Sequence, residues 1–483
     1  MSAKSNKTVL SFAIEDSIGV LPGTPDWTSL EWNDLTNFGS TISTVSRTPV
    51  NQDLMEYEGA VSDLDSAVAF QTDLTYSSFN NFAQGAFYSV WKAQSEFTPT
   101  DVTATGFTVG AAGDLADGIL FFTRGYSDPL NNGLFVSALS TTLEIKPSGG
   151  VVEAVPALSA RLDVVGVQGA AGDIEMDISG NLTSTILDFT TLGIKVGQSI
   201  FIGGSTAITQ FDNALYTGLA RVRSVAAGLI TLDKRDWVIG AADSGGVQTI
   251  QIFIGSFIRN VAQDHADFLE ESYTFEADID GATEGKIYEY PEGSKLNTMT
   301  LDFPLTDKAG LGLDFIGTDT PDPVNIQATG NRLNTYEAAA FGTTSDFARL
   351  SLKDSGLSDY STTFKSLSIE INRQVSAEKT IGKLGANDMN IGTLMITGSS
   401  SVIYNDSNIV KAARGNETTT LDFAVINSDG CLHFDIPAMK FENVNKSFPV
   451  NESVLLDVAI KTFKDNFFGY VMSVTKYPFL PIS

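Results

Sequence analysis

The stretch from Lys365 to Gln374, KSLSIEINRQ, alternates without a break. Leu367, Ile369 and Ile371 fall on one side, and Ser366, Ser368, Glu370 and Asn372 fall on the other. A period of two marks a strand with one buried face and one wet face. The same pattern recurs along the chain. Ser40–Val50 alternates, and Ser66–Tyr76 reads as a short strand. Met299, Leu301, Phe303 and Leu305 share a face with Asp302 opposite, and residues 311–317 follow with Asp314 on the polar side. Further strands are predicted at 366–372, 394–397, 402–404, 419–426, 432–436 and 454–460. In the last of these Val454, Leu456, Val458 and Ile460 share a face and Asp457 takes the other. The fold class is therefore mainly β.

Helical periodicity is rare. Phe79, Phe82, Ala83, Ala86, Phe87 and Val90 fall at i, i+3, i+4, i+7, i+8 and i+11, one apolar stripe wide enough to pack on a sheet. Residues 405–413, NDSNIVKAA, predict a short second helix with Asp406 or Ser407 as its N-cap.

The order of these elements repeats. An alternating strand, a second strand and a helix appear near residues 40–91 and again near 366–413, and two alternating strands close each copy. STISTVSR (40–47) resembles SLSIEINR (366–373), a glycine follows each (Gly59, Gly392), and Val68-Ala69-Phe70 matches Val402-Ile403-Tyr404. Between about 101 and 262 the texture changes to short apolar strands separated by Gly, Ser, Thr and Asn. Two passages there, 118–146 and 197–234, share a Gly-led strand, a polar loop, a second strand and a third ending in Lys, and read as two small all-β modules. Residues 317–325, GTDTPDPVN, read as a linker. The division that follows is 1–100 with 263–320, an insertion at 101–262, and 321–483.

Composition refines this picture. The formal net charge is −28. Residues 1–100 hold 12 acidic and 4 basic groups, 101–260 hold 15 and 9, and 261–483 hold 31 and 17, so most of the acidity lies outside the insertion. Such a chain does not coat DNA by neutralising phosphates; it repels a polyanion. Charged residues make up only 18% of the chain, which hints that much surface meets other protein. No run reaches the roughly 18 uncharged apolar residues of a membrane span. The N-terminus shows no apolar signal segment. A single cysteine, Cys431, excludes an intrachain disulfide and fits assembly in a reducing cytosol.

Candidate chemistry is sparse. The chain has two histidines, His265 and His433, and the alternation around His433 gives it a structural place on the polar face of a strand. None of the nucleophile-elbow, phosphate-loop or zinc-protease motifs occurs. Asp278–Glu284, DIDGATE, has acidic spacing but too few ligands for a calcium loop. We therefore expect no catalytic residue, metal or cofactor.

Several passages together resemble a known family. They are SFAIEDSIGVLPGTPDWTSLEW, the strand–Gly–strand–helix stretch from Ser40 to Trp91, YEYPEGSKLNTMTLDFPLTDKAGLGLDFIGTD, SLSIEINRQ, GTLMITGSSSVIYND, CLHFDIPAMKF and VLLDVAIKTFKD. In these the chain resembles the phage tail tube protein, or major tail protein, of phages with long non-contractile tails. The resemblance covers residues 1–100 and 265–483 and rests on pattern, with no invariant motif; the insertion departs from it.

The resemblance implies two tandem tail-tube-type β-sandwich or partial-barrel domains, each with a flanking helix, and the small β modules inserted on the exterior. It implies a structural role in the virion tail, with assembly in the host cytoplasm. Six such domains form a ring around a lumen, so a duplicated chain forms a homotrimer ring with pseudo-hexameric outline. DNA and the tape-measure protein pass through the lumen, and tail terminator and tail-tip proteins are further partners. The lumen-lining candidates are Asp302, Asp314, Glu370, Asp422 and Asp457. Stacking between rings is expected from residues 2–30, the loop around Pro49–Glu58 and the C-terminal KYPFLPIS. A virion adhesin whose modules bind a receptor is the competing reading, and a tail-associated depolymerase a third.

Overall fold

The predicted strands pair in a single repeating scheme. The computed structural model describes residues 4–48, 50, 52, 55, 57–110, 115–147, 160–281, 285–334, 338–360 and 362–481. Twelve strands and two helices carry the repeat. The first set is β1 (Val9–Ile14), β2 (Asp34–Arg47), β3 (Tyr57–Asp73), α1 (Tyr76–Phe87), β4 (Tyr273–Gly281), β5 (Lys295–Phe303) and β6 (Gly310–Gly317). The second is β7 (Phe347–Lys353), β8 (Thr363–Asn372), β9 (Met395–Ile403), α2 (Asn408–Gly415), β10 (Thr419–Asn427), β11 (Gly430–Ser447) and β12 (Leu455–Thr462). The insertion interrupts the first set between α1 and β4.

Each set contributes four strands to one continuous antiparallel sheet, in the order β2-β3-β6-β5 followed by β8-β9-β12-β11. Within both sets the second strand pairs with the fourth. The seam between the sets is β5 against β8, running from Thr298 opposite Asn372 to Phe303 opposite Leu367. Outside this array β1 pairs with β4 and β7 with β10, again one pair per set. Among the described residues the sheets stay open and none closes into a barrel.

One apolar core runs beneath both sets. Phe12, Phe70, Phe82 and Phe315 from the first and Ile369, Phe423, Phe434 and Leu456 from the second belong to it. Helix α1 seals the junction: Phe82 lies 4.9 Å from Phe12 and 5.4 Å from Phe315, and Phe79 meets Phe434 edge-on at 5.3 Å. Gly85 is the close-approach position, because a Cβ there would sit 2.5 Å from the Tyr273 hydroxyl. The helix stops one turn earlier than its stripe suggests. Tyr88 turns left-handed at φ 48, so Val90 leaves the helical face.

The helix starts at a reciprocal cap: the Ser78 amide donates to Thr75 Oγ1 and the Thr75 amide donates to Ser78 Oγ, both at 2.9 Å. Replacing Thr75 with alanine is expected to cost about 1 kcal/mol, read as a shift in the urea midpoint with unchanged slope.

Several sequence expectations change. Residues 394–397 and 402–404 are parts of one strand, β9. The strand ending near Tyr76 is longer than its alternation, since β3 spans 17 residues and its far end projects past the core. The linker is pinned to the first set: the Val324 and Tyr288 amides exchange hydrogen bonds at 2.9 and 2.8 Å, and Asn331–Leu333 adds a parallel strand beside Asp26–Leu30. The two passages of the insertion share one ten-stranded sheet. Their first two strands, Ile119–Arg124 with Gly133–Val136 and Ser199–Ile202 with Gly218–Ala226, form hairpins in both. The third strands diverge, Glu144–Ile145 leaving for a separate small sheet.

Candidate functional site

The face of the long sheet that turns away from the core is where the sequence placed its carboxylates. Register fixes its rows. Asp314 lies opposite Ala69 on one side and Thr298 on the other, and Thr298 lies opposite Asn372. The next row runs Gly312, Thr300, Glu370, Thr397 and Lys461. Asp302 is flanked by Gly310 and Ser368, and Asp457 by Ser401 and Asn445. The structure thus brings Asp302, Asp314, Glu370 and Asp457 onto one surface built mainly of Gly, Ala, Ser and Thr. Asp302, Glu370 and Asp457 are exposed. Asp314 is half-buried, and that burial pushes its carboxyl above the usual range, opposed by a hydrogen bond from Asn297.

Asp314 and Asp457 occupy the same place in the two sets. Phe70 opposes Leu313 and Leu35, while Val402 opposes Leu456 and Phe364. Both first strands then carry one extra residue, Thr36 in β2 and Lys365 in β8, before pairing resumes. Aligning these bulges puts Ala69 on Ser401 and hence Asp314 on Asp457. The sequence match of 40–47 with 366–373 is three residues out of this register.

Asp422 departs from the group and corrects the expectation. It is only 1% exposed and lies on β10, in the layer behind the core, facing the insertion. Its neighbours are Lys234 of the insertion, Arg349 of β7, and His433, whose Nε2 lies 3.1 Å from Asp422 Oδ2. Beside it Arg221 reaches Asp233 at 2.9 Å and Asp435 at 3.1 Å, and Tyr470 donates to Asp435 at 3.4 Å. Arg349 also pairs with Asp236. Burial lowers the Lys234 ammonium from its usual range, while Asp422 and Asp435 oppose that shift. Burial alone would raise the Asp422 carboxyl, but Lys234 and Arg349 hold it well below normal. This cluster joins the insertion to the second set. His433 is therefore buried inside an ion cluster, where the alternation had placed it on a wet face.

Both terminal segments have places within the chain's own fold. Residues 9–14 form β1, with Leu10, Phe12 and Ala13 buried, so the N-terminus is woven into a sheet. The C-terminal segment is clamped under the insertion. Tyr477 donates to the Ser199 carbonyl at 2.5 Å, and Phe479 stacks on Phe122 at 4.9 Å. Of the loop 49–58, residues 49, 51, 53, 54 and 56 lie outside the described set.

A cleft of about 550 Å³ opens where α1, the insertion and the C-terminal strand meet, lined by Tyr76, Glu96, Arg124, Asp163 and Lys476 among others. Burial pushes the Asp163 carboxyl up to about 6, with Arg124 at 3.3 Å opposing, and pulls the Lys476 ammonium down to about 8. Between the ordinary carboxylate value near ~4 and about 6, the folded chain keeps a proton that the unfolded chain releases. Stability therefore falls as pH rises through that window. Replacing Asp163 with asparagine is expected to add about 1–2 kcal/mol at pH 7 and nothing near pH 4, measured by denaturant titration at both values.

Among the described residues no group of three or more His, Cys, Asp or Glu side chains is placed to hold a metal ion, and no helix is long and apolar enough to cross a membrane. A comparison with curated proteins finds no match. A family model described as phage tail tube protein matches residues 5–454, which takes in the first strand set with its insertion and the second set through β11. With that match over almost its whole length, the chain belongs to the phage tail tube protein family.

Proposed function

We propose that three copies of this chain close into a ring of pseudo-sixfold outline and that rings stack into a hollow tail tube. The family is a structural one and belongs to the virion tail. Each chain would supply two tube domains, the first reaching past residue 320 to the strand at 331–333. The observation that carries this reading is the long sheet, in which one four-strand order occurs twice without interruption. Three copies of eight strands make a barrel of about 24 strands, far too wide for side chains to fill.

The polar face would line that lumen. Asp302, Asp314, Glu370 and Asp457 would repel phosphates, so DNA and the tape-measure protein slide past without adhesive sites. The insertion would decorate the exterior, because it docks on β10, which lies behind the core as seen from the polar face. Assembly in the host cytoplasm and capping by terminator and tail-tip proteins complete the proposal.

Negative-stain electron microscopy with mass measurement of the purified chain tests it. Hollow tubes or rings of three chains support the reading. Rings of six chains would keep the tube and overturn the two-domain division. A monomer at all concentrations that binds host cells through residues 101–262 would favour the adhesin.

A further inference from the structure

Among the described residues, both outer edges of the eight-strand array are unpaired over part of their length. Along β2, from Asn37 to Val45, β3 occupies one edge, and among the described residues no strand occupies the other. β11 is flanked on both sides only in its first part, by β10 and by Ser473–Tyr477. From Glu442 to Ser447 it pairs with β12 alone. Open edges are templates for further pairing, and proteins normally blunt them with prolines, inward charges or short strands. β2 has none of these: its 14 residues carry charge only at Asp34 and Arg47. Apolar side chains stand exposed at both edges, Ile42 and Val45 on β2 and Phe448 and Val450 just beyond β11.

We infer that copies of this chain join by antiparallel pairing of the open edge of β2 with the C-terminal part of β11, in the register that β5 and β8 already use within the chain. The inference rests on the tube reading and adds the contact surface and its residue-level register. The bulges fix the equivalence. In β5 pairing with β6 shifts between Leu296 and Thr298; in β11 pairing with β12 shifts between Glu442 and Asn445. Thr298 opposes Asp314 and Asn445 opposes Asp457, so Asn445 stands for Thr298. By the same alignment Ser43, Ile42 and Thr41 stand for Asn372, Ile371 and Glu370. The seam pairs Thr298, Met299 and Thr300 with Asn372, Ile371 and Glu370. The joint between copies therefore sets Asn445, Lys446 and Ser447 opposite Ser43, Ile42 and Thr41.

A second feature agrees. The hairpin Ser376–Lys379 with Ala386–Asn390 follows β8 and crosses the seam onto the first set, where Lys379 reaches Asp63 and Asp65 at 2.6 Å each. The corresponding extension of the first set is the far end of the β2–β3 hairpin, with Ile42, Val45 and Val61 exposed. It crosses the joint onto β11 and β12 of the adjacent copy, as the hairpin after β8 does within the chain.

The test is a full-length double variant, Ser43→Cys with Asn445→Cys. Directly opposed residues bring Cα atoms within disulfide range, and the native Cys431 is buried. Under oxidation the pair is expected to give a ladder of disulfide-linked chains ending at a closed ring, lost on reduction, with neither single variant linking. Ile42→Lys, which faces Lys446, is expected to raise the assembly concentration more than tenfold, while Ile42→Glu assembles. Tubes that form from the double variant without cross-links overturn the register and leave the tube reading intact. A wild-type chain that never forms rings or tubes overturns both.

Discussion

Replacing Asp422 with alanine is expected to destabilise the chain by about 3–5 kcal/mol, the loss typical when one partner of a buried ion pair is removed. Asp422 neutralises Lys234 and Arg349 and takes a hydrogen-bond contact from His433, all at one buried point. Without it Lys234 keeps the neutral Thr420 hydroxyl at 3.1 Å and the carboxylate of Asp435, whose Oδ1 lies 3.9 Å away and which already serves Arg221. The ammonium, already lowered by burial, would then lose the stronger of the two carboxylates that oppose that shift. The expected readout is a lower denaturant midpoint and faster proteolysis within 101–262, because the cluster is what holds the insertion to β10 and β11. Adding Lys234→Met to Asp422→Ala should recover part of the loss, since a cycle that removes both charges leaves neither uncompensated. An Asp422→Ala chain within 1 kcal/mol of wild type would show that the docking energy lies in the apolar contacts around Tyr477 and Phe479.

The misplacement of Asp422 shows where a period of two stops being informative. Alternation tells which residues share a face; it does not tell what covers that face. On β8 and β12 nothing among the described residues covers it, so Glu370 and Asp457 are exposed as the pattern suggests. On β10 a second layer covers it, and the strand is buried along both faces from Thr419 to Val425. One signal was available. Asp422 lies opposite Asp435 in the β10–β11 pair, and like charges across a strand pair need cations between them. The charge-dense LDKRD at 232–236 of the insertion supplies one, Lys234, through long-range contact that no local pattern encodes. The repeated element order was legible because it depends only on local periodicities. Its residue register was not, because the bulges at Thr36 and Lys365 shift the pairing by one without altering composition.

The polar face supports the second large prediction. Asp302→Lys, Glu370→Lys and Asp457→Lys together change the charge of that face by six per chain. The three side chains are exposed on strands whose opposite faces fill the core, so the fold and the ring should survive. On the proposed reading, what changes is the surface the genome meets. Lysines facing a duplex release condensed counterions on contact, and each such contact steepens the salt dependence of binding by about one unit in log–log slope. Particles with variant tails are expected to adsorb normally and to eject DNA at least tenfold more slowly in low salt, the defect shrinking as salt rises. The neutral set Asp302→Asn, Glu370→Gln and Asp457→Asn should fall between, which separates charge from shape. Ejection at the wild-type rate in low salt from intact lysine-bearing tails would mean that these carboxylates face another surface. In that case the assignment of this face to the lumen falls, whatever the ring that the chains form.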